Sequence, residues 1–468
     1  MSDLLERRVR ETLARRAARA RVSGDAWPAI MARAARARRR QRAMRLSGAL
    51  AAVAVLGLAT PTLLDVLRRV DPAEVAFPPG PAPTAEQTPA VPELPAPESV
   101  ASPQPPDPAA GRLVWTRAAD PAGAFAPGDY VYVEDVAVLD GTAVAVGSFT
   151  PAGSEPSEPT RAAAWFSLGS QNWSLVEGDE APFGGAPATY TEMLAISATG
   201  DRLVAVGGTY DAGQPSRPLA WVSPDARDWE RVELPGEGTV RDVVWTGSVA
   251  VAVGEGAGRG PAAWTSADGR DWQAATVPGG GDSEEYLWKV AASGDRLVAM
   301  GAGGQALFVS TDAGSTWEAV PTADAGFDPA TTAPEDVLAL PDGGFLAVAV
   351  GDNGLQAYAS DDGRTWTAVG AFPAGAGMQR VNGLGIAGDG AVVAVGTLLA
   401  GEGTGPEAAV WTSRDGGATW ESQPDPEGAF DGGVMEAVAS GRPGLVAVGH
   451  ASSAASQQTG AAWTAVGG

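Results

Sequence analysis

The chain has 468 residues, no cysteine, one histidine and a formal net charge of −24. Without cysteine there are no disulfides, thiol nucleophiles or cysteine metal centres, and a lone histidine rules out two-histidine zinc motifs. Charge is unevenly spread: residues 1–45 hold 14 arginines against 4 acids, whereas 16 basic and 51 acidic residues follow from 71 onward, a surface that excludes nucleic-acid binding through a basic face.

Residues 1–45 read as a basic cytosolic helical segment. Leu4, Leu5, Val9 and Leu13 form a thin apolar stripe between arginines, and Asp25 can cap a second stretch running from Trp27. Residues 46–64 carry no charge, and at ~1.5 Å per residue such a run spans a bilayer core. A single transmembrane helix is therefore expected over 46–67, and the arginines before it orient the N-terminus to the cytoplasm and the remainder outside a bacterial cell membrane. A cleaved signal peptide is the competing reading, with Gly57-Leu58-Ala59 as cleavage site, but the charged leader is long for one. Residues 68–110 read as a stalk. Between 71 and 110 there are 13 prolines, a composition that favours extended polyproline II over a packed core.

From 111 to 468 two markers alternate. One is an apolar run ending in glycine, as in Ala143-Val-Ala-Val-Gly147 and Leu203-Val-Ala-Val-Gly207, with further copies ending at Gly254, Gly301, Gly351, Gly396 and Gly449. The other is an aromatic strand end, a Ser-x-Asp-x-Gly turn and a tryptophan, clearest at 264–272, 308–317, 358–366 and 411–420; it is weaker at 221–229 and 165–173. Short strands repeating about every 50 residues predict an all-β, seven-bladed β-propeller. The last unit lacks its outer strand, and Leu113-Val-Trp115-Thr from the start of the domain is expected to supply it, closing the ring against Ala461–Val466.

The Ser-x-Asp-x-Gly turns resemble the Asp-box, or bacterial neuraminidase repeat, of the sialidase-like propellers. That resemblance covers about 112–468 and implies structural roles for Asp225, Asp268, Asp312, Asp362 and Asp415, in hairpins away from any active face. A sialidase-like site implies three convergent arginines and a Tyr–Glu pair. No Phe-Arg-Ile-Pro stretch is present, and Arg227, Arg270, Arg364 and Arg414 fall in the peripheral turns. Gly383-Leu-Gly385-Ile-Ala-Gly388 matches a dinucleotide fingerprint, but a strand follows it where a helix is needed. His450 is expected in a loop after its strand.

The candidate site is the mouth of the channel, on the face carrying the longer loops. The entry residues of the inner strands are expected to align as a ring of Asp135, Met193, Asp242, Lys289, Asp336, Gly383 and Glu436, with Glu192, Arg241 and Arg380 beside it. Such a ring suits a cation, a sugar or a basic peptide. No cofactor or metal is expected. The leading expectation is a monomeric, membrane-anchored, non-catalytic binding or assembly module for a protein or glycan outside the cell. A surface glycoside hydrolase of sialidase-like type and a transmembrane sensor are the alternatives.

Overall fold

The computed structural model describes residues 113–467, apart from 121, 153–159, 177–179, 185–188, 212–214, 280–285, 303–305, 328–333, 352–353, 376, 400–404, 426, 442–443 and 453–457. The expected cytosolic segment, membrane helix and stalk lie outside these residues. Among the described residues no helix is long and apolar enough to cross a membrane.

The described chain is almost wholly β. The first strand, β1 (Leu113–Arg117), is followed by β2 (Gly128–Leu139), β3 (Thr142–Pro151), β4 (Arg161–Leu168) and β5 (Ser174–Leu175). Next come β6 (Thr189–Thr199), β7 (Arg202–Asp211), β8 (Arg217–Ser223) and β9 (Glu230–Glu233), then β10 (Gly238–Trp245), β11 (Ala250–Gly256), β12 (Pro261–Ser266) and β13 (Trp272–Ala274). The series continues with β14 (Leu287–Ser293), β15 (Arg296–Gly301), β16 (Ala306–Ser310) and β17 (Glu318–Pro321), and with β18 (Pro334–Ala339), β19 (Phe345–Gly351), β20 (Gly354–Ser360) and β21 (Thr367–Ala371). It ends with β22 (Met378–Ile386), β23 (Val392–Leu399), β24 (Glu407–Ser413), β25 (Glu421–Ser422), β26 (Gly433–Ser440), β27 (Leu445–Ser452) and β28 (Gln458–Gly467).

Five of the sheets are four-stranded antiparallel meanders, and one sheet joins β26-β27-β28-β1 to β2-β3-β4-β5 through a single parallel bridge, Tyr130 to Gln458. The first strand of each meander packs on the next in a closed circuit, β2 on β6, β6 on β10, and so on through β14, β18, β22 and β26 back to β2. Sheets stacked about an axis in this way make a β-propeller.

The second strand of each sheet is buried on both faces, which is why it reads as an unbroken Ala-Val run: Val144 to Val146 and Leu203 to Val206 are fully excluded from solvent. The glycine that ends the run has a separate cause. Every first strand carries a β-bulge, between Val133 and Asp135, Met193 and Ala195, Val240 and Asp242, Leu287 and Lys289, Pro334 and Asp336, Val381 and Gly383, and Met435 and Ala437. At the bulge the first strand's carbonyl swings inward. A Cβ at Gly147, Gly207 or Gly396 would lie 1.9 Å from the carbonyl oxygen of Tyr132, Glu192 or Arg380. In the β18–β19 pair Ala349, not Gly351, stands opposite the pre-bulge residue.

The Ser-x-Asp turns lock themselves. Ser266 Oγ accepts from Gly269 N–H at 2.9 Å, and Asp268 Oδ1 accepts from the N–H groups of Arg270 and Asp271 at 2.8 Å. Trp272 Nε1 then donates to Gly269 O at 2.8 Å. The same arrangement recurs around Asp312, Asp362 and Asp415, and around Asp225 with Ala226 in the glycine position at φ 69°. Tryptophans of the third strands instead hold the loop before the sheet, as when Trp165 Nε1 donates to Ala124 O at 2.7 Å.

The expected closure is observed. Leu113 pairs with Gly467, Val114 with Val466, Trp115 with Ala465 and Thr116 with Thr464. Ala465 stands where the other sheets carry the turn serine, and the buried Trp115 Nε1, like that of Trp173, has no hydrogen-bond partner among the described residues.

Candidate functional site

Because each bulge adds one residue, side chains after it are turned relative to those before it. The register places Asp135, Ala195, Asp242, Lys289, Asp336, Gly383 and Ala437 at one level of the channel. The sequence alignment of the ring is thus corrected at two strands. Met193 is the buried residue before its bulge, and Glu436 is the bulge residue itself, level with Glu134, Arg241, Trp288, Glu335 and Asn382.

Asp135, Asp242, Lys289 and Asp336 line a cavity of about 240 Å³. Its walls are Val244, Val290, Ala291, Ala292, Val337, Leu338, Ala339, Leu384 and Val438, residues that lead toward the turns between first and second strands. The cavity therefore extends from the ring away from the mouth on which the candidate site was expected.

Each aspartate joins two neighbouring sheets. Asp135 Oδ1 accepts from the N–H of Val136 and its Oδ2 from the N–H of Ile196 on β6, both at 2.8 Å. Asp242 does the same for Val243 and for Val290 on β14, and Asp336 for Val337 and for Leu384 on β22, all at 2.8 Å. These N–H groups lie on the free inner edge of a sheet, where no further strand can take them, and the carboxylates supply the acceptors. Ala437 stands at the corresponding level of β26, so Val438 has no such carboxylate beside it.

Burial dominates the titration of this ring. It pushes Asp135 up to about 6 and Asp242 up to about 7, and raises Asp336, in each case against the opposing attraction of Lys289. For Lys289, burial favours the neutral form, but Asp336, Asp242, Asp135 and Glu436 outweigh it and hold the ammonium charged. A charged lysine is a counter-ion, not a nucleophile.

The remaining expected site residues sit nearer the mouth. Arg241 lies 3.5 Å from Glu255 and stacks over the Tyr286 ring at 5.2 Å, and Arg380 lies 3.4 Å from Glu335. Burial raises the carboxyl of Glu192, with Arg241 opposing. Glu436 Oε1 is 3.5 Å from His450 Nδ1. His450 belongs to β27, correcting its expected loop position, because this second strand continues past Gly449; burial lowers its basicity while Glu436 opposes. Glu134, next to Asp135 at the bulge of β2, has its carboxyl pushed up to about 8 by burial and by Glu436 and Glu192. Tyr210, at about 12 through burial, also faces Glu192 and Arg241, and nothing in its local sequence marks it.

No family model matches the chain, and no curated protein matches it. Solved structures that it is similar to are sialidase-like and YCF48 β-propellers. A Trypanosoma rangeli sialidase in complex with sialic acid is 12% identical, with a TM-score of 0.41 over 72% of this chain and 54% of that one. A YCF48 bound to D1 peptide is 16% identical, with a TM-score of 0.47 over 76% of this chain and 98% of the other. A phage phi92 endosialidase is 13% identical, with a TM-score of 0.45 over 76% and 69%. The chain thus spans about half the length of the Trypanosoma sialidase.

The arginines of the peripheral turns are engaged locally: Arg270 with Glu230, Arg364 with Glu318 and Arg414 with Asp389, each at 2.7 Å, and Arg227 over the Phe166 ring. Gly383 and Gly385 are packing residues, since a Cβ on Gly383 would meet the Ala437 backbone at 2.9 Å. Among the described residues no group of acids and histidine is placed to hold a metal ion.

Proposed function

We propose that the chain is a membrane-anchored, extracytoplasmic, seven-bladed Asp-box propeller that serves as a non-catalytic binding or assembly module. Counting the joined sheet as two blades gives seven. The observation that carries the non-catalytic reading is the use of the central carboxylates. Asp135, Asp242 and Asp336 each commit both oxygens to backbone N–H groups of adjacent inner strands. A nucleophile or a general base needs a carboxylate free to approach substrate, and among the described residues lining the ring the one cation is Lys289, where a sialidase-like site would need three convergent arginines. Arg241 and Arg380 are drawn off to Glu255 and Glu335.

The test is twofold. Residues 112–468, immobilised, are expected to retain a specific protein or glycan from cell-envelope extracts, and a fluorogenic sialoside is expected to stay intact. Sialoside cleavage abolished by Arg241→Ala would replace this reading with the hydrolase. Membrane placement is checked by fractionating the full chain, which is expected in the membrane pellet with residues 111–468 open to external protease.

A further inference from the structure

The ring is unbalanced in a way its structural role does not require. Asp135, Asp242 and Asp336 face one cavity in which, among the described residues that line it, Lys289 is the sole cation. Lys289 makes no ion pair within 4 Å and donates no hydrogen bond among the described residues, so it neutralises the carboxylates through their shared field and not by closing over any one of them. Each aspartate oxygen accepts one N–H, and a carboxylate oxygen has capacity for a second. On the side away from Lys289 the ring positions are Gly383 and Ala437, which carry no charge to compensate Asp336 and Asp135. The walls beyond the ring are aliphatic.

A slot with apolar sides and an anionic floor has a simple complement, a short alkyl chain ending in a positive charge. We infer that this cavity binds a primary alkylammonium group, entering from the end of the channel where first and second strands turn, its charge beside Asp135 and Asp336 and its methylenes along Leu338, Ala339 and Val438. The group can come from a free amine or from a lysine side chain of a partner protein. The acidic propeller segment attracts either over long range. The inference rests on the binding-module reading and gives that module a ligand chemistry.

Binding a second cation favours ionised carboxylates, so affinity should follow the deprotonation of the ring. Groups facing it include Asp135 on β2, Asp242 on β10, Asp336 on β18 and Lys289 on β14, with Glu134 and Glu436 one level nearer the mouth. Calorimetric titration of the full chain with n-butylamine is expected to show binding at pH 8 that weakens about tenfold at pH 5, with n-butanol and butyrate inert. A peptide Gly-Gly-Lys-Gly-Gly binding at least as well as butylamine assigns the protein-borne source, and its exclusion assigns the free amine. Ala339→Leu fills the slot without touching the aspartates and is expected to weaken butylamine about tenfold while leaving the melting temperature near that of the parent. Asp242→Asn should weaken it too if the variant folds. Absence of butylamine binding at pH 8, equal binding of butanol, or binding unaltered in Ala339→Leu overturns the inference. A partner captured by the loop face in the envelope experiment, with butylamine inert, would sink the amine slot and leave the binding module standing.

Discussion

Gly314 and Gly416 are both turn glycines with positive φ, at 84° and 70°, yet their surroundings differ. A Cβ on Gly314 would come within 2.6 Å of Val251 Cγ1 in the neighbouring sheet, whereas nothing lies within 4 Å of one on Gly416. Gly416→Ala should cost about 1 kcal/mol, the ordinary left-handed penalty, and Gly314→Ala at least about 1 kcal/mol more because Val251 is fully buried. Urea denaturation of the two variants checks the difference. Lys289 offers a second test at this scale. Lys289→Met leaves three carboxylates without their counter-ion, a loss on the order of 3 kcal/mol when they are ionised. The loss should be much smaller at pH 5, where Asp242 and much of Asp135 hold a proton, so the gap between parent and variant melting temperatures should widen toward pH 8.

At the scale of the element, the bulge in each inner strand decides what reaches the channel. Asp242→Asn keeps an acceptor for Val243 but turns a donor toward Val290 N–H, leaving that buried group unsatisfied. A cost of about 1–3 kcal/mol is expected, measured as a lower urea midpoint with unchanged slope. The outer strand β1 is the other decisive element. It covers five residues of β28, and its removal bares an edge carrying Val466, already 44% exposed. A chain lacking 113–117 should melt at lower temperature and aggregate on heating, seen by light scattering. Much of this level is legible in the sequence. The Ala-Val-Gly runs, the Ser-x-Asp turns and the pairing of Leu113–Thr116 with the last strand follow from local patterns and from counting strands. The ring register is not legible in the same way. A bulge adds a residue without changing the apolar pattern, so Met193 and Glu436 align with Asp135 by eye and not by pairing. The signal that could have found it is the buried residue before each bulge, Val133, Met193, Val240, Leu287, Pro334, Val381 and Met435, aligned as a column.

For the whole molecule, two families of carboxylate pull stability in opposite directions. The turn aspartates, Asp225, Asp268, Asp312, Asp362 and Asp415, are held below the ordinary value by backbone and side-chain hydrogen bonds that outweigh burial. Their contribution is present above the unfolded value near 4 and is lost as pH falls through the folded one. Asp135, Asp242 and Glu134 are raised to about 6, 7 and 8, so the stability they favour is complete below the unfolded value and declines as pH rises through those figures. The melting temperature should therefore peak near pH 4–5 and fall by several degrees toward pH 8, and calorimetry across that range checks it. A flat profile from pH 5 to 8 would contradict the buried ring.

What the sequence determined by itself was local or combinatorial: tight turns written in Ser, Asp, Gly and Trp, strands buried on both faces, and a first strand that completes the last sheet. These follow because hydrogen bonds within a turn and apolar alternation along a strand depend on residues a few positions apart. The tertiary structure alone decided which charged groups share a space, that each central aspartate serves a strand about 50 residues further on, and that the cavity opens away from the expected mouth. The physical reason is that a bulge rotates every side chain beyond it, and its consequence is fixed only when neighbouring sheets close around the axis.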